Sequence, residues 1–102
     1  MRLTKEEIAS IKKAIGKFVQ PSNFQLFLFG SRIDASKKGG DIDLLLVVDK
    51  SFFDIVVPEK HKMLAEIKDV IGDQKIDLII ATPQDLKEEP FLETIQKSAV
   101  RI

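Results

Sequence analysis

The 102-residue chain contains no cysteine. That excludes a disulfide framework and a thiolate metal site, and it fits a reducing compartment. It also has no charge excess, because sixteen Lys and Arg balance sixteen Asp and Glu. Nothing in the total therefore draws it to a nucleic-acid backbone or a membrane surface, and the basic surplus of a polymerase or DNA clamp is missing. Long apolar runs are absent too. The longest, Leu44 to Val48, is five residues, far from the ~20 that cross a bilayer. The N-terminus, Met-Arg-Leu-Thr-Lys-Glu-Glu, has no apolar signal core. There is no internal repeat, low-complexity tract or linker. The expectation is a cytoplasmic protein folded as one domain over residues 1–102, with a core of limited size.

What is present reads as alternating helices and strands. Ile8, Ile11, Ile15, Phe18 and Val19 recur at helical spacing. Thr4 and Glu7 have the form of a capping box, and Pro21 stops the helix. Residues 24–29 (FQLFLF) read as a strand ending in a Gly30-Ser31 turn, and residues 42–48 as a strand buried on both faces. Pro58 is expected to open a second helix that carries Met63, Leu64, Ile67, Val70 and Ile71 and stops at Gly72. A third strand (KIDLIIA) spans 75–81, and Thr82-Pro83-Gln84-Asp85 starts a short helix broken at Glu88-Glu89-Pro90. A last helix carries Phe91, Leu92 and Ile95, and residues 99–102 offer a short C-terminal edge strand. The class is α/β (α+β), one small sheet covered by helices.

Three acids sit where a strand tolerates them poorly. Asp41 and Asp43 flank Ile42 at the head of the most apolar strand, and Asp77 lies at the head of the third. Asp is disfavoured in strands, and a buried carboxylate needs a partner or a cation. Side chains alternate with period two, so Asp41 and Asp43 share a face, roughly 7 Å apart. If strands one and two pair antiparallel, the Gly-Ser turn and both aspartates lie at one end of the sheet. The helix between strands two and three has the length of a parallel crossover, which sets Asp77 level with Asp43. Clustered carboxylates suit Mg²⁺, a hard cation that takes carboxylate, phosphate and water oxygens. Two such ions about 4 Å apart can activate an attacking oxygen and neutralise leaving pyrophosphate, the chemistry of phosphoryl or nucleotidyl transfer. Gly30 lets the backbone approach a phosphate, Ser31 adds a hydroxyl and an N–H, and Arg32 is placed to neutralise the phosphate tail.

The segment LFGSRIDASKKGGDIDLLLV resembles the Gly-Ser and Asp-x-Asp signature of the DNA polymerase β nucleotidyltransferase superfamily, and KIDLII resembles its third acidic strand. The likeness runs over essentially the whole chain and points to the minimal nucleotidyltransferases, stand-alone domains of about this length. It implies a small mixed sheet of order 1-2-3 with helices mainly on one face. It also implies Asp41, Asp43 and Asp77 as catalytic metal ligands for two Mg²⁺ (Mn²⁺ can substitute), and Gly30 and Ser31 as the triphosphate-positioning pair, which Arg32 joins by its place beside the turn. The implied reaction moves a nucleoside monophosphate, AMP from ATP, to an acceptor hydroxyl. The implied acceptor is a partner protein, a small helical HEPN-type toxin that such domains neutralise as antitoxins, and zero net charge makes a nucleic-acid acceptor the less expected one. Two departures stand out. The spacer Arg32–Gly40 is nine residues, one fewer than these proteins commonly carry, and Asp34 replaces their second arginine. Lys37 or Lys38 is left to supply that charge. The alternative reading is a non-catalytic module that binds nucleotide or partner and neutralises a toxin by contact.

Blander readings apply to single features. A Gly-Ser turn alone is only a turn, and an Asp-x-Asp alone is an exposed pair or a cap. His61, the single histidine, reads as a surface residue. Phe52 and Phe53, between strand and helix, read first as core and second as a partner surface.

Overall fold

The computed structural model describes residues 3–30, 42–72 and 75–102. Helix α1 (Lys5–Ile15) begins at the expected capping box. The Glu7 N–H donates to Thr4 Oγ1 at 3.0 Å and the Thr4 N–H to Glu7 Oε1 at 2.9 Å, satisfying two of the donors a helix start leaves open. The helix ends earlier than its apolar spacing suggests, at Gly16. Phe18 and Val19 follow in a tightened turn, with the Phe18 and Val19 N–H groups donating to the Ile15 carbonyl at 2.9 and 3.1 Å. That turn still carries Val19 into the core, so the periodicity outlasts the helix that explains it.

Strand β1 (Phe24–Phe29) is followed by β2 (Ile42–Val48). Between β2 and the expected crossover helix stands a helix the sequence reading does not contain, α2 (Lys50–Val56). Its first turn is closed by the Phe52 and Phe53 N–H groups on the Asp49 carbonyl, at 2.9 and 3.0 Å. Pro58 does not open the crossover helix but sits in a 3₁₀ turn (Val57–Glu59), where its missing N–H costs no ladder bond. Helix α3 (Lys60–Ile71) then runs to Gly72, whose φ of 90° ends it as expected. Strand β3 (Ile76–Ala81), helix α4 (Pro83–Glu88), helix α5 (Pro90–Ser98) and strand β4 (Val100–Arg101) complete the chain.

The sheet order is β3-β2-β1-β4. The expected 1-2-3 order is kept, and the short C-terminal strand joins it beside β1, pairing Leu28 with Val100 and Phe27 with Arg101. The β1–β2 and β1–β4 pairs are antiparallel and β2–β3 is parallel, so the sheet is mixed.

Alternation along β2 divides the core in two. Ile42, Leu44, Leu46 and Val48 face a larger cluster completed by Ile11 and Ile15 of α1, Val56 of α2, and Met63 and Ile67 of α3. Leu45 and Val47 face a smaller cluster with Ala81, Leu86 of α4 and Ile95 of α5. Most helices therefore pack on one face, and α4 and α5 cover part of the other. Phe52 and Phe53 are half-buried and pack against the larger cluster. Their neighbour Ile55 is 62% exposed.

Helix α4 depends on a second capping box. The Asp85 N–H donates to Thr82 Oγ1 at 3.2 Å and the Thr82 N–H to Asp85 Oδ2 at 3.0 Å. Thr82 is buried, and its loss leaves the part-buried Asp85 N–H without its acceptor. Thr82→Ala is expected to reduce unfolding free energy by about 1 kcal/mol, read as a shift in the urea midpoint with an unchanged slope.

Candidate active site

Three strand ends meet at one end of the sheet. Strand β1 arrives there with Phe29 opposite Asp43, and β2 and β3 both depart from it with Asp43 directly opposite Asp77. Neighbouring strands lie about 4.8 Å apart, so the two carboxylates are rooted side by side. Both belong to the set of residues that faces α4 and α5. Asp43 precedes Leu45 and Val47 on β2, and Asp77 precedes Ile79 and Ala81 on β3, all of which pack into the smaller cluster. Asp43 is half-buried and Asp77 exposed. Like charges directly opposite one another weaken a sheet. A pair of aspartates heading two otherwise apolar strands is thus a local cost to folding.

Gly30, the residue after β1, has φ +78°, which disfavours any side chain. It is also crowded. A Cβ built there would fall on Asp43 Oδ2, with Asp43 Cγ at 3.1 Å and Asp43 Cβ at 3.4 Å. The sequence reading gave Gly30 the task of admitting a phosphate. The structure gives it a nearer one, leaving room for the Asp43 carboxylate. Ser31, Arg32 and Asp41 lie outside the described residues, as do Asp34, Lys37 and Lys38. Among the described residues no group of three or more His, Cys, Asp or Glu forms a metal cluster, so the acids the structure brings together there are the pair Asp43 and Asp77.

The pair lies in a cleft of about 470 Å³, within the ~300–1,000 Å³ of small-molecule sites. Phe29, Leu64 and Ile79 give it apolar walls, and Lys60 and Phe91 also line it. Sequence reasoning did not place these last two in the site. A lone Lys on a helix carries no signal, and Phe91 reads as one more apolar helix position. His61 is exposed, as expected of a surface residue. A smaller hollow of about 140 Å³, lined by Asn23, Gln25, Asp49 and Pro83 among others, sits at the opposite ends of β1 and β2. It holds no paired acids.

Carboxylate oxygens are the donors a hard divalent cation prefers. Asp43 and Asp77 fit such an ion, and Gly30 keeps one of them from being displaced. Among the described residues no helix is long and apolar enough to cross a membrane.

No protein-family model matches the chain, and no curated protein matches it. Solved structures do. One crystal structure, of a protein provisionally assigned as a nucleotidyltransferase, is 25% identical with a TM-score of 0.58, over 93% of this chain and 96% of that one. Another, from Sulfolobus solfataricus and given the same provisional assignment, is 19% identical with a TM-score of 0.52, over 99% and 89%. The chain has a nucleotidyltransferase fold.

Proposed function

We propose that this protein is a metal-dependent nucleotidyltransferase that moves a nucleoside monophosphate, AMP from ATP, onto an acceptor hydroxyl. The observation that carries the reading is the in-register pair Asp43 and Asp77 with Gly30 packed against Asp43, in a nucleotidyltransferase fold. Asp43 and Asp77, with Asp41, would hold Mg²⁺. When bound, the ion supplies Lewis-acid activation of the attacking oxygen and charge neutralisation on the leaving pyrophosphate.

The chain's own groups do the rest. Asp77, the more exposed acid, takes the proton of the acceptor hydroxyl as its oxygen bonds to the α-phosphorus. The bond from that phosphorus to the bridging oxygen breaks, and pyrophosphate leaves with the electron pair. Ser31 and Arg32 position the phosphates, and Gly30 leaves room for the Asp43 carboxylate. Lys60, lining the same cleft, offers a positive charge near the triphosphate in a chain where Asp34 stands in place of an arginine.

The expected acceptor is a protein, and the expected setting is a pair in which this chain acts as antitoxin to a small helical partner. Zero net charge supports that over nucleic acid. Phe52 and Phe53 are half-buried against the core, and the more exposed apolar surface beside them is Ile55, with Val57 at 38% exposure. Ile55→Asp is expected to weaken a complex with the partner at least tenfold while leaving ATP binding unchanged, read by titration calorimetry against each. A complex indifferent to this change would move the interface elsewhere. The contact-only alternative keeps one observation in its favour, the anionic Asp34.

The metal claim has a direct test. A ligand at ten times its dissociation constant adds about 1.4 kcal/mol to stability, or roughly 6–11 °C of melting temperature for a domain of this size. Millimolar Mg²⁺ with ATP is expected to produce such a rise, and Asp43→Asn to remove most of it. Wild-type melting that ignores Mg²⁺ and ATP together would refute the site.

A further inference from the structure

We propose that Phe91 is the platform on which the base of the nucleoside triphosphate stacks. The inference rests on the nucleotidyltransferase reading above and deepens it. Helix α5 presents three large apolar side chains, and two are used in packing: Ile95 is buried in the smaller cluster and Leu92 lies against it. Phe91 is not, being 67% exposed, the highest value among the exposed large apolar side chains of the described residues. Its ring is therefore free to gain stabilisation by burial against a planar or apolar ligand.

Its position narrows what that is. Phe91 lines the same cleft as Asp43, Asp77 and Lys60. A ligand anchored there by its phosphates, through the carboxylate-bound cation and the lysine, has one large apolar and planar part left, its base. Phe91 is the exposed ring of that cleft. The base of a nucleotide anchored there is the occupant whose planar face matches that ring.

The chemistry of the lining also sets the selectivity. Phe29, Leu64, Ile76, Leu78 and Ile79 offer no side-chain hydrogen-bonding group, and the polar lining residues Asp43, Asp77 and Lys60 are taken up by the cation and phosphates, which leaves the π-face of the base as the part held by side chains. Stacking tolerates any base and favours the larger one. ATP and GTP are expected to bind within about threefold of each other, and both more tightly than CTP.

Calorimetric titration of the full chain in Mg²⁺, with ATP and with inorganic tripolyphosphate, tests this without any turnover. Phe91→Ala is expected to weaken ATP about tenfold and to change tripolyphosphate by less than twofold, whereas Phe91→Tyr keeps ATP near the wild-type value. Melting curves of both variants check the fold. Equal loss on both ligands would make Phe91 a structural residue and overturn the proposal. So would unchanged ATP binding, including the case in which Phe91→Ala instead abolishes a complex with a partner protein. If wild type binds neither ligand, the nucleotidyltransferase reading itself fails; if it binds both and Phe91→Ala leaves ATP unchanged, only the platform fails.

Discussion

Asp77→Asn is expected to lower the rate of nucleotidyl transfer by about a thousandfold or more while leaving the fold intact. The substitution keeps the shape of the side chain and removes its charge. Two contributions vanish together, a carboxylate ligand for the cation and the acceptor for the hydroxyl proton, and every ~1.4 kcal/mol lost from the transition state is tenfold in rate. The effect on stability should run the other way. Asp77 is exposed and stands opposite Asp43 across a paired strand, so without metal the substitution relieves a like-charge pair, worth about 0.2–1 kcal/mol. The metal-free variant should melt at or slightly above wild type, and added Mg²⁺ should reverse the order. Radiolabelled ATP and denaturation with and without Mg²⁺ measure the two halves. Full transfer by the variant would end the catalytic assignment of Asp77. A variant that transfers nothing but still restrains its partner as wild type does would favour the contact-only reading.

The sequence carried the site's logic further than its surroundings. The level placement of Asp77 and Asp43 follows from an antiparallel pairing and a crossover of ordinary length, and the observed register has that form. Both features are generic consequences of chain geometry, so alternation and spacing suffice to reach them. Helix α2 was not reached. Its apolar residues Phe52, Phe53 and Val56 fit a helix, but Pro58 two residues beyond draws the start signal toward itself. Phe52 and Phe53, read first as core and second as a partner surface, pack half-buried against the larger cluster. Lys60 and Phe91 were invisible for another reason. They are far apart in sequence from the acids and from each other, and only the completed fold brings them to one cleft. Gly30 lies between these cases. Its turn was legible, but its contact with Asp43 depends on which residues the strand pairing sets opposite one another.

That contact makes Gly30→Ala the sharpest test of how the site is built. Two costs separate. The first is conformational, because φ +78° is strained for alanine, and it should appear as a loss of about 1–2 kcal/mol in unfolding free energy. The second is steric. The new methyl falls on Asp43 Oδ2, and a carboxylate at the end of a side chain can rotate away more easily than a strand can move. The steric cost should therefore appear less in stability than in function, as a displaced metal ligand. A displacement of about 1 Å costs on the order of a hundredfold in rate, so transfer should fall by at least that much. A cycle with Asp43→Asn isolates the mechanism. If the methyl acts through the Asp43 carboxylate, Gly30→Ala and Asp43→Asn should each remove most of the melting rise produced by Mg²⁺ and ATP, and the double variant should lose no more than either alone. Additive losses would mean that Gly30 meets the phosphate itself and not the aspartate. An alanine variant with wild-type transfer would show that the crowding between residue 30 and Asp43 has no part in the chemistry.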